Sequence, residues 1–103
     1  MAGEFTYHFD WDPLKARTNL ADHKVSFRLA STVFRDPLAL TVYDEEHSEN
    51  EERWATLGQV ENGQYLVVIH TFEHTSATDA TIRIISARPA ERAEIKDYED
   101  TPR

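Results

Sequence analysis

The sequence predicts an α+β fold, an antiparallel β-sheet with helices packed against one face, and three observations predict it. Strand and helix patterns run in the order β-α-α-β-β-β-β-α, so strands follow one another instead of alternating with helices. Asn62-Gly63, set between two apolar runs, is a strong hairpin signal. Thr81-Ile-Arg-Ile-Ile-Ser-Ala-Arg88 carries Ile82, Ile84 and Ile85, apolar residues for both faces of a central, covered strand.

Each element follows from its residues. Glu4 to Asp10 alternates Phe5, Tyr7 and Phe9 with polar neighbours, the period of a half-buried strand. Asp12-Pro13 opens a helix as N-cap and first helical residue, and that helix runs to about Asp22, ending near His23-Lys24. Ser26 is an N-cap for a second helix, with Phe27, Ala30 and Phe34 on one apolar face and Asp36-Pro37 as its stop. Leu38 to Tyr43 is a short strand, and residues 44–52 form an acidic loop, expected to be disordered together with the termini. Arg53 to Val60 and Tyr65 to Phe72 are the hairpin strands, Glu73 to Ala80 a polar connection, 81–88 the last strand and 90–100 the last helix.

The chain has 103 residues, enough for one domain and a modest core. No apolar run reaches the roughly 18 residues of a membrane span, and the N-terminus does not read as a secretion signal, so a cytoplasmic location is expected. With no cysteine, disulfides, thiolate zinc sites and thiol nucleophiles are excluded. The histidines lack H-x-x-x-H spacing and the acidic loop lacks EF-hand order, so neither metal nor other cofactor is expected. A net charge of −8 disfavours broad, non-specific nucleic-acid binding. Lys15, Arg17, Lys24, Arg28 and Arg35 nevertheless gather in the first third, which allows a local basic face.

An arginine inside an apolar strand must be paired or aimed at an anion. Arg83 and Arg88 therefore have two readings. Either they serve an anionic substrate or they pair internally, Arg83 with Glu94 or Glu91. From the residues alone the two stand level.

Several strings, in order along nearly the whole chain, resemble the BrnT family, ribonuclease toxins of BrnT–BrnA toxin–antitoxin systems with a RelE-like fold. They are Phe9-Asp-Trp-Asp-Pro-Leu-Lys-Ala-Arg17 with Asn19, His23-Lys-Val-Ser-Phe27, Val33-Phe-Arg-Asp-Pro37 and Glu51-Glu-Arg53 leading to Leu57-Gly58. Leu66-Val-Val-Ile-His-Thr71 and Ile82-Arg-Ile-Ile-Ser-Ala-Arg88, leading to Glu94 and Tyr98-Glu99, complete the set. The departures are informative. Lys24 stands where the family has glycine, costing about 1 kcal/mol if a left-handed turn is kept. Arg28 and Leu29 replace the glutamates that would complete a capping box from Ser26. Pro89-Ala-Glu-Arg-Ala-Glu-Ile95 replaces a basic stretch with an N-cap threonine, which weakens any grip of that helix on RNA.

The resemblance implies a metal-independent endoribonuclease that inhibits translation and growth. Cleavage by 2′-hydroxyl attack needs a base, positive charge on the phosphorane and a proton for the leaving oxygen. Arginine suits the second role because its planar fork matches phosphate oxygens. Arg83, Arg88, His23 and Glu94 are the candidate catalytic residues, and Arg53, Ser86, Tyr98 and Lys24 the candidate substrate-binding residues. Each has a plainer reading. His23 can cap its helix, and Glu94, at the fourth helical position, can cap or pair. Ser86, grouped with Ile84 and Arg88 on one side of the strand, can bond backbone. Tyr98 can pack with Ile95, while His70 reads as structural.

The implied partners are an RNA substrate and a BrnA-like ribbon-helix-helix antitoxin, with operator DNA reached only through that antitoxin and no membrane. The rival is an interaction module that keeps the fold and the antitoxin but has lost cleavage. Gyrase poisoning, known in the wider fold, is a third reading.

Overall fold

The computed structural model describes residues 5–102, apart from the side chain of His47. The expected strand start at Glu4 and the extreme termini lie outside that range. The elements are β1 (Thr6–Asp10), α1 (Pro13–His23), α2 (Phe27–Ser31), β2 (Leu40–Tyr43), β3 (Trp54–Gln59), β4 (Tyr65–His70), β5 (Glu73–His74), β6 (Asp79–Pro89) and α3 (Arg92–Asp100). Six strands form one sheet in the order β1-β6-β4-β3-β2, with β5 beside β6.

The α+β class holds, with differences in detail. β1 pairs in parallel with β6, Thr6 opposite Asp79 through Asp10 opposite Arg83, so the sheet is mixed. The connection expected to be polar and irregular supplies β5. The second helix ends at Ser31 and continues as a 3-10 turn over Thr32–Arg35, because Thr32 and Ser31 bond back to the carbonyls of Leu29 and Arg28. The acidic loop is fastened, not loose: Glu45–His47 makes a 3-10 turn, the Ser48 hydroxyl donates to the Asp44 carbonyl, and Ser48 Oγ accepts the Arg53 N–H at 3.0 Å.

Val25, Phe27, Ala30 and Val33 pack on Leu66, Val68, Ile82, Ile84 and Ala87 to make the core on one face of the sheet. α3 lies across the other face, where Tyr98 meets Tyr65 edge-on at 5.2 Å. The helices therefore occupy both faces, and α3 leaves the expected helical layer because Tyr65 alternates with the core residue Leu66. Gly58 lets the 3-10 turn approach β3, since a Cβ there would stand 2.9 Å from Val33 Cγ2.

α1 lies beside the half of β6 that β1 leaves unpaired. Asn19, buried, donates to the carbonyls of Val25 (2.9 Å) and Ala87 (2.8 Å) and accepts the Ala87 N–H (3.0 Å). Its amide thus takes the place of a missing strand.

α1 closes with Lys24 in the left-handed region, φ 59°, the only non-glycine positive φ among the described residues. Its N–H caps Leu20 O at 3.0 Å and its Nζ donates to Ala21 O at 3.1 Å. Lys24→Gly is expected to stabilise the chain by about 1 kcal/mol through relief of that conformation, less the lost ammonium contact. A urea titration midpoint unchanged or lowered would count against this account.

His70 is buried and structural. Nδ1 donates to Thr71 O at 3.0 Å, so Nε2 accepts from the Thr56 hydroxyl at 2.7 Å, which in turn accepts from Thr41 at 2.8 Å. Burial lowers its pKa below the usual 6.5. The unfolded chain then binds this proton more readily, so the site's contribution to stability is full above the unfolded value and falls as the pH drops below it. Thermal melts from pH 7 to 5 should show a steeper loss for the wild type than for His70→Gln; parallel losses would sink the assignment.

Candidate active site

A β-bulge organises the site. β4 and β6 pair Ile69 with Ser86 and then His70 with Ile84, leaving Ile85 as an extra residue. In a regular strand Arg83 and Arg88, an odd number of positions apart, would face opposite ways. The bulge resets the alternation. Ile82, Ile84 and Ala87 enter the core, while Arg83, Ser86 and Arg88 share the other face. Ser86 therefore does not share a side with Ile84, as strict alternation suggested. Its side chain makes no hydrogen bond to a described residue, so the backbone-bonded role is not the one it plays.

Arg88 forks onto Glu94 with bonds of 2.8 and 2.9 Å. That contact raises the arginine's pKa and holds the Glu94 carboxyl below its ordinary range. Glu94 also accepts the Glu91 N–H at 2.8 Å. α3 begins at Arg92, so Glu94 is its third residue, not its fourth, and it serves as both cap and ion-pair partner.

Arg83 pairs with Glu51, and not with Glu94 or Glu91. Arg53 reaches the same carboxylate at 3.3 Å, while its own Nε is buried without an acceptor. The bond to Arg83 is the main reason that the Glu51 carboxyl titrates below its usual range. Sequence reasoning missed Glu51. The signal was its place two residues before Arg53, since alternation puts both on one side of an extended chain.

Beside Ser86 runs an open groove of about 330 Å³ between α1 and β6, lined by Lys15, Thr18, Asp22 and His23 with Ile85 and Ser86. His23, the last residue of α1, contributes to the groove and makes no hydrogen bond to the helix carbonyls. Capping falls to Lys24, which does not line the groove and whose ammonium is engaged at Ala21. Tyr98 is likewise not placed to bind substrate: it is buried, packs on Tyr65 and donates to Asp36 at 2.7 Å. The structure thus assembles Arg53 with Arg83 around Glu51, Arg88 with Glu94, and His23 with Ser86 along the groove between α1 and β6. Guanidinium forks beside an imidazole and a free hydroxyl form a set able to hold phosphate and move a proton.

Over residues 11–94 the sequence matches the model of the ribonuclease toxin BrnT of type II toxin–antitoxin systems. The chain belongs to this family. Its fold is similar to that in the crystal structure of the Brucella abortus ribonuclease toxin BrnT, with a TM-score of 0.60 at 20% identity over 84% of this chain and 100% of that one. Comparison with curated proteins gives no match. Membership of a BrnT family implies an antitoxin partner, and no helix among the described residues is long and apolar enough to cross a membrane.

Proposed function

We propose that this BrnT-family chain is a metal-independent endoribonuclease that arrests translation and growth and is neutralised by a BrnA-like antitoxin. The 2′-hydroxyl attacks the adjacent phosphorus, leaving a 2′,3′-cyclic phosphate and a 5′-hydroxyl. Arg88 and Arg83 stabilise charge on the phosphate oxygens, with Arg53 behind Arg83 and the Ser86 hydroxyl donating between them. His23, across the groove from Ser86, exchanges the proton. Glu94 is the weaker base, because its depressed pKa reduces its proton affinity. The observation that carries this reading is the bulge, which turns two arginines and a serine onto one face beside an imidazole-lined groove.

The test is growth on induced expression, with total RNA examined on a gel and the purified chain assayed in excess EDTA. Arrest with RNA breakdown, and EDTA-resistant cleavage leaving cyclic phosphate ends, supports the proposal. EDTA-sensitive cleavage removes the metal-independent mechanism.

A second reading has its own observation. Glu51 and Glu94 already occupy the guanidinium forks, and RNA must displace them. A chain in which they never yield would keep the fold and act only through its antitoxin, as a repressing partner. Normal growth with intact RNA, from folded antitoxin-free protein, selects this reading.

A further inference from the structure

β1 is an edge strand, and among the described residues nothing pairs with its outer side. The Thr6 N–H is bonded to Thr78 O at 2.8 Å, so alternation turns the N–H and C=O groups of Tyr7 and Phe9 outward. Unpaired edges of this kind invite another strand. One face of the edge is aromatic: Phe5, Tyr7, Phe9 and Phe72 are each 39–44% exposed, and Phe5–Tyr7, Tyr7–Phe72 and Phe9–Phe34 meet at 5.3, 6.3 and 5.6 Å. α2 is too short to cover them. So contiguous an apolar surface marks an interface.

The charge of this edge selects the occupant. Residues 5–13 and 71–83, which build it, contain Asp10, Asp12, Glu73 and Asp79, no lysine and a single arginine, Arg83, whose charge is already met by Glu51. His8 is held by Asp79 at 2.9 Å on the face away from the aromatics. RNA phosphates would be repelled here, and a second copy would bring the same acids against each other. A strand with apolar residues on one side and basic residues on the other fits both faces.

We propose that the free edge of β1 seats the antitoxin, which adds a strand with apolar side chains on Phe5, Tyr7 and Phe9 and basic side chains towards His8 and Asp10. This rests on the antitoxin reading above and adds where and how the partner binds. Asp10 is the register partner of Arg83, so basic side chains towards His8 and Asp10 lie on the face of Arg83, at the border of the candidate site.

The experiment uses the full chain co-expressed with a BrnA-like ribbon-helix-helix antitoxin, and compares amide exchange in the complex and in the free chain. The Tyr7 and Phe9 amides are expected to slow by at least ~100-fold in the complex. Tyr7→Lys should raise Kd by a similar factor, while Tyr7→Phe and Val42→Lys, the latter on the opposite sheet edge, should not; circular dichroism verifies folding. A complex in which β1 exchanges freely, or in which Tyr7→Lys binds as the wild type does, overturns the docking edge and leaves the antitoxin reading standing. Failure of the wild type to form any complex removes both. Protection of β1 by RNA, or by self-association of the free chain, assigns the edge elsewhere and overturns the proposal.

Discussion

An Arg88→Ala chain is expected to cleave RNA at least ~100-fold more slowly than the wild type while remaining folded, the size seen when one preorganised charge donor is removed from a reacting oxyanion. The guanidinium is about two-fifths exposed, and its partner Glu94 is fixed independently by the Glu91 N–H, so the substitution leaves the α3 start in place. Arg88→Lys should recover only part of the loss, because an ammonium cannot fork across two phosphate oxygens. Glu94→Gln separates two roles. If Glu94 only holds Arg88, the amide frees the fork and cleavage persists or rises; if it is the base, cleavage falls with Arg88→Ala. Single-turnover cleavage of an end-labelled RNA measures all three. Arg88→Ala within a few-fold of the wild type would move the chemistry away from β6.

Asn19→Ala is expected to be strongly destabilising, on the order of 3–5 kcal/mol. Three buried backbone groups lose their partner at once, each worth about 1–3 kcal/mol when left unmade. Two of them, the Ala87 N–H and C=O, point away from β4 towards a side where no strand continues, and the third is the carbonyl of core residue Val25. Asn19→Asp should be nearly as harmful, since a carboxylate oxygen would replace the amide nitrogen that donates to two carbonyls. Urea unfolding reads the loss directly, and a cost below about 1 kcal/mol would mean that water replaces the amide. Because Ala87 lies between Ser86 and Arg88, the same variant should also slow cleavage by any molecules that remain folded.

Much of the fold is legible in local chemistry. Asp12-Pro13 and Ser26 start their helices by the side-chain bonds their residue types suggest, to Leu14 and Leu29. Asn62 and Gly63 make the hairpin, with Gly63 at φ 90° and the Asn62 side chain accepting the Gln64 N–H. Lys24 keeps the left-handed turn expected of a glycine. Such features depend on a few adjacent residues, so the sequence displays them. Pairing across the chain is different. That Arg83 meets Glu51, 32 residues away, follows from two chain segments brought together by the sheet, and no spacing encodes it.

The sequence by itself determined the α+β class, the order of its main elements, family membership and the residue types available for chemistry, because periodicity, caps and ordered strings are local properties. Only the tertiary structure decided which way those residues point. The parallel pairing of β1 depends on where the first strand is placed, and α3 sits opposite the core because Tyr65 and Leu66 face apart. One unpaired residue, Ile85, decides the site: strand alternation has period two, so a single insertion reverses every side chain beyond it and brings Arg88 round to the face of Arg83.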